Sequence, residues 1–200
     1  MNMSTFPNFF ENNDYFIDEK VTLLKFNNAY KVYNKEGIQI GNIQQSMPAG
    51  LKILSLVLSK AMFPFKLDII DTEGKVLATI KRGWTFFLSK IVVLNERGEP
   101  IASIKQKFKL FKPTFHIFDT ERGLLAYISG DWKAWNFTIT DTNGSQIGSI
   151  SKKWNGVLKE SFTTADKYIV SIVPEVAEDT KKIAIVATAI TIDMVLKESK

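Results

Sequence analysis

The chain has no cysteine and only one histidine, His116. The first absence excludes disulfide scaffolding, a thiol nucleophile, Cys-ligated metal and S-palmitoylation. The second leaves little material for acid–base chemistry, and no Gly-rich phosphate loop, nucleophile elbow, HExxH pair or Ser/His/Asp arrangement occurs in the sequence. His116 itself falls at a strand position that reads as outward-facing or half exposed. No enzyme activity and no cofactor are therefore expected. A membrane-spanning run is missing too: the uncharged segment Ile183 to Ile192 is about half of the ~20 residues a bilayer needs, and Asp193 follows it. The first 19 residues hold no Lys, no Arg and no continuous apolar stretch, so no secretory signal is read and a cytoplasmic setting is expected.

What is present is a repeat. At 200 residues and 45% hydrophobic, the chain suits one sizeable core. Five anchors, Asn34, Asp71, Asn95, Asp119 and Asp141, are each followed by an aliphatic residue at +6, a Gly or Ala at +7 and an Ile at +9. Positions −4 and −2 are large and apolar, as in Leu67 and Ile69 or Phe137 and Ile139. A Gly stands at +3 in four copies (Gly37, Gly74, Gly98, Gly144) and one place later in the other, at Gly123. Asp or Asn followed by Gly at that spacing suits a type I turn ending in a left-handed residue, so each copy reads as strand, turn and strand. One hairpin cannot bury its apolar face alone, and the five must share one closed or layered sheet.

Two segments break the pattern. Ala49 to Met62 places Leu51, Leu54, Leu58 and Ala61 at helical spacing between Pro48 and Pro64, predicting a short amphipathic helix. Such a helix either dips into a bilayer interface or packs as a lid on the sheet, the latter being the commoner fate. Ile183 to Leu196 is β-branched, which favours a strand, but too long for one without a turn. A helix apolar on nearly every side is one buried all round, and a central helix inside a β-barrel satisfies both observations.

Trp154, Gly156, Glu160, Phe162, Thr163, Ala165 and Asp166, then Pro174, the pair Lys181 and Lys182, and the apolar helix ending at Ile192 and Asp193, together resemble the C-terminal signature of the phospholipid scramblases. The hairpin series before them is similar to that of the LURP-one-related proteins, which share the Tubby C-terminal-like fold. The resemblance implies a mainly β fold: a Tubby-like closed antiparallel barrel of about twelve strands around a buried hydrophobic C-terminal helix. It implies residues 1–14 as a flexible N-terminus and 15–200 as one domain. It also implies phospholipid binding or membrane tethering at the inner membrane face, with lipid translocation as a family activity. Scramblases are similar in carrying an acidic, calcium-binding segment after the Phe-Thr element. Here Thr164 and Lys167 stand at two of its positions, and the remaining Asp166, Glu175, Glu178 and Asp179 are scattered among lysines. Calcium takes six to eight oxygens, so no metal site is expected.

The formal charge of +5 permits an anionic partner without requiring one. Lys105, Lys107 and Lys109 alternate along one strand and so share a face, with Lys112 beyond them. Lys81 with Arg82 ends the second strand of another copy, as Lys152 with Lys153 does. These residues are the candidate contacts to lipid phosphates; the alternative is a solvated edge whose lysines discourage aggregation. Trp132 and Trp135 flank Lys133, an arrangement suited either to a membrane interface or to closing a barrel end. Anionic phospholipid headgroups are the expected partner, with a protein-interaction domain as the rival reading. Nucleic acid is a weaker third, since no RNP-like or OB-type signature is present.

Overall fold

A computed structural model describes residues 8–20, 29–46, 64–84, 90–109, 112–131, 133–152 and 167–198. Twelve strands run up and down in sequence order and close on themselves. They are β1 (Asp14–Lys20), β2 (Ala29–Tyr33), β3 (Gln39–Ser46), β4 (Phe65–Asp71), β5 (Val76–Arg82) and β6 (Lys90–Asn95). The second half comprises β7 (Pro100–Lys109), β8 (Lys112–Asp119), β9 (Gly123–Asp131), β10 (Asn136–Asp141), β11 (Gln146–Ser151) and β12 (Lys167–Ile172). Every neighbouring pair is antiparallel, and β1 against β12 is the only pairing distant in sequence. The predicted hairpins are β2–β3, β4–β5, β6–β7, β8–β9 and β10–β11, and the strands expected near Tyr15 and Tyr168 are β1 and β12.

The anchor residues fold the turns through their own side chains. Asp71 Oδ1 accepts from the backbone N–H of Glu73 at 2.9 Å and of Lys75 at 2.8 Å, and Gly74 takes a φ of 86° behind it. Asn34, Asn95 and Asp141 accept the same two backbone donors, two and four residues on. Asp119 accepts from Glu121 and Arg122 instead, which moves the left-handed glycine to Gly123. Each hairpin shifts register just before its anchor, so five bulges recur at one place in the repeat.

Close approach of the next strand explains the small residue at +7. A Cβ added to Gly148 would lie 2.4 Å from the Ser171 carbonyl oxygen, and one added to Gly41 would lie 2.7 Å from that of Ile70. Ala78, Ala102 and Ala126 occupy the equivalent sites buried. Gly148→Ala is expected to lower the urea midpoint by the equivalent of about 1–3 kcal/mol, since a backbone oxygen cannot swing away as a side chain would. An unchanged midpoint would show that β11 and β12 have slack.

Inside the barrel runs α1 (Asp179–Glu198), 20 residues and so about 30 Å long, enough to thread strands of this length. Ile183, Ile185, Val186, Ile190 and Ile192 are all buried, with Ala184, Ala187 and Ala189 letting the helix fit the lumen. The inward residues of the strands, such as Leu67, Ile80, Ile104, Ile117 and Ile139, complete the core. Asp193 is buried there too, and accepts from the Tyr30 hydroxyl at 3.1 Å. The Thr188 hydroxyl returns to the Ala184 carbonyl at 2.6 Å.

Packing starts earlier than the boundary expected at residue 15. Phe9, in a short 3-10 turn (Phe9–Glu11), is buried in the core against Tyr15. Lys182 Nζ donates to the carbonyls of Phe10 and Asn12, and the Tyr15 hydroxyl donates to Asn12 as well. Burial, with Asp179 and Asp14 adding to it, pushes the Tyr15 phenol well above its ordinary range, so it stays a donor. The helix expected over residues 49–62 lies outside the described residues.

Candidate functional site

An up-and-down barrel has two unlike ends. All five anchored turns lie at one, together with the start of α1; the opposite strand ends are called here the loop end. The two ends differ in charge. Glu36, Glu73, Glu96, Glu99, Glu121, Glu175 and Glu178 cluster about the turn end. There Lys75 pairs with Glu96 at 2.7 Å, and Glu178 pairs with Arg122 and Lys181. Those two cations hold the Glu178 carboxyl below its usual range.

Among the described residues, lysines line the loop end. Lys81, Lys105 and Lys107 are exposed on its outer wall, and Lys109 is paired in register with Lys112. Two lysines not singled out in the sequence join them: Lys66 stands opposite Lys81, and Lys90 stands opposite Lys105. Lys66 is neutralised by Asp68 at 3.0 Å. Lys105 Nζ sits 4.7 Å from the centre of the Phe118 ring, beside the outward cluster of Phe118, His116 and Tyr127. Lys81, Lys90 and Lys107 have no ion-pair partner among the described residues. Trp84, at the end of β5, is 51% exposed beside this row.

Arg82 departs from the sequence expectation. Successive strand residues point to opposite faces, so with Lys81 outward Arg82 turns inward, where it is 2% exposed with its guanidinium 4.6 Å above the Phe65 ring. It is removed from the phosphate-contact set. Of the two readings of Trp135, the geometry fits the closing of a barrel end: its ring stacks on Tyr168 at 5.2 Å and meets Phe137 edge-on, with Lys152 Nζ 4.9 Å above it. Its backbone takes a left-handed φ of 50°, held by Asp131 accepting from Lys133 and Ala134. Trp135 thus closes the barrel end instead of standing free at an interface. Trp132, Lys153 and the segment 154–166 lie outside the described residues.

Among the described residues no group of His, Asp and Glu comes together as a metal site, and no helix is long and apolar enough to cross a membrane.

A closed twelve-stranded antiparallel barrel threaded by one helix defines the class of fold. A solved structure of an Arabidopsis thaliana protein matches it with a TM-score of 0.50 over 94% of this chain and 92% of that one, at 9% identity, a likeness of fold alone. The family model named Scramblase matches residues 17–199, and the chain belongs to that family. It is 23% identical to a phospholipid scramblase family protein of Schizosaccharomyces pombe over 71% of this chain and 40% of the relative. It is 21% identical to the altered inheritance rate of mitochondria protein 25 of Saccharomyces cerevisiae, over 72% of this chain and 51% of the relative. To human phospholipid scramblase 1 the identity is 30% over 52% of this chain and 37% of that one. The chain spans about half, or less, of the length of these relatives.

Proposed function

We propose that this chain is a non-enzymatic phospholipid-binding module that rests, as a peripheral protein, with the loop end of its barrel on an anionic membrane surface. Membership of the Scramblase family supports a lipid-related role. The observation that carries the reading is the convergence of Lys81, Lys90, Lys105 and Lys107 on one end while most of the described glutamates gather at the other. A barrel so polarised is turned by the field of an anionic surface, basic end down, before any contact forms. The lumen is filled by α1 and its packed neighbours, so the lipid-contacting surface in this reading is the outer wall and not a path through the barrel.

Replacing Lys105, Lys107 and Lys109 together by Gln tests the reading. Each Lys near an anionic surface contributes about 1 kcal/mol, so sedimentation with phosphatidylserine-containing liposomes should weaken on the order of a hundredfold. The thermal midpoint should stay nearly unchanged, because exposed lysines contribute little to folding. Raising salt should weaken wild-type binding, and calcium should not be needed. Equal sedimentation with neutral and anionic liposomes would favour the protein-interaction reading.

A further inference from the structure

Position −5 from each anchor lies directly across the hairpin from position +10, and the five copies fill that pair differently. In the first, fourth and fifth hairpins it is Ala29 with Gln44, Thr114 with Ser129 and Asn136 with Ser151. In the second and third it is Lys66 with Lys81 and Lys90 with Lys105. Three copies close this end of the hairpin with neutral residues, so the fold does not require lysine there. Two ammonium groups directly opposed on an antiparallel pair repel one another, and two such pairs on adjacent hairpins compound the repulsion.

The two pairs also join. Lys81 lies opposite Val92 on β6, which places it diagonal to Lys90, and Lys90 in turn is diagonal to Lys107. A row of lysines thus crosses β4 to β7, its diagonal neighbours roughly 7–8 Å apart at the backbone. Among the described residues only Lys66 of this row is neutralised by a carboxylate, that of Asp68. Long flexible stems let neighbouring ammonium groups close on one small ion. The exposed indole of Trp84 stands on the connection leaving β5, two residues beyond Arg82 and at the level of this row.

We propose that the Lys81–Lys90 step, flanked by Lys66 and Lys105, is a site for a phosphomonoester dianion, carried on a lipid headgroup with Trp84 seated among the neighbouring headgroups. The inference rests on the membrane reading above and sharpens it. A phosphodiester such as that of phosphatidylserine offers one negative charge on its phosphate, whereas a monoester carries up to two and exposes three oxygens, enough to bridge opposed ammonium groups. The same bridge relieves the repulsion between the opposed ammonium groups. An amphipathic indole suits the headgroup layer, which a phosphate free in solution would not supply.

The experiment compares phosphatidylcholine vesicles containing phosphatidate with vesicles containing phosphatidylserine, their compositions adjusted to equal electrophoretic mobility. Wild-type protein should partition to the phosphatidate vesicles about tenfold more strongly, and Lys81→Gln with Lys90→Gln should erase that preference. Lys35→Gln with Arg97→Gln, the same charge change at the turn end, should preserve it. Inositol hexakisphosphate should raise the thermal midpoint of the wild type but not that of the Lys81→Gln, Lys90→Gln protein, whose own midpoint should match or exceed the wild-type value. Trp84→Ala should weaken vesicle binding while leaving the inositol hexakisphosphate shift intact; undiminished vesicle binding by that variant would overturn the lipid assignment. Equal partition of the wild type to both vesicles, or equal loss in the two double variants, would overturn the monoester site alone. Absence of binding to either vesicle would overturn the membrane reading beneath it.

Discussion

Ile190→Asp is expected to abolish cooperative folding. Ile190 is wholly buried at the centre of α1, which is itself enclosed by the barrel wall. An isolated carboxylate there costs several kcal/mol against a total stability of roughly 5–15 kcal/mol. Three residues on, Asp193 is tolerated at the same depth with the Tyr30 hydroxyl directed at its carboxylate. Ile190→Val serves as the conservative control, losing about 0.5–1.5 kcal/mol while keeping a single sharp transition. Urea unfolding followed by tryptophan fluorescence and far-UV circular dichroism reads both. A folded, cooperative Ile190→Asp protein with a near wild-type midpoint would mean that α1 is peripheral to the barrel.

Phe9→Ala should cost about 3–5 kcal/mol, which for a domain of this size lowers the thermal midpoint by roughly 10 °C. Phe9 lies outside the segment matched to the family, which begins at residue 17. Its ring nonetheless sits 3.3 Å from where a Cβ of Gly41 would be, and 5.1 Å from the Tyr15 ring. Lys182 ties the same segment to α1 through the carbonyls of Phe10 and Asn12. Calorimetry of Phe9→Ala and of Lys182→Met should show both destabilised, the second by about 1–3 kcal/mol because two carbonyls lose a charged donor. A midpoint within a degree of wild type for Phe9→Ala would show the turn end to be closed by other contacts.

The hairpins were legible because Asp or Asn at the anchor and Gly behind it act within five residues, where sequence spacing and spatial proximity coincide. The central helix was legible from a conflict between β-branched composition and length, which only enclosure on all sides resolves. Arg82 was misread by treating Lys81 and Arg82 as one charge pair. The period of two places Arg82 with buried Ile80, and its inward guanidinium lies over the aromatic face of Phe65. Lys66 and Lys90 both stand at −5 in their copies, and the register of the repeat puts them opposite Lys81 and Lys105. For Trp135 the sequence leaves two roles open, and what selects barrel closure is its partner Tyr168, on a strand 33 positions away.

The order of the strands has a consequence for how this protein comes into being. Each strand from β2 to β12 pairs with one already made, so the meander can zip up locally during synthesis at low entropic cost. The seam between β1 and β12 is different, because it joins residues such as Tyr15 and Val170 across most of the chain. The element that fills the lumen, α1, comes later still. A nascent sheet therefore carries a full complement of inward Ile, Val and Phe side chains with nothing to cover them until residues 179–198 have left the ribosome. For that interval it is a curved sheet with an open edge and an apolar concave face, the form of chain most prone to join another copy of itself.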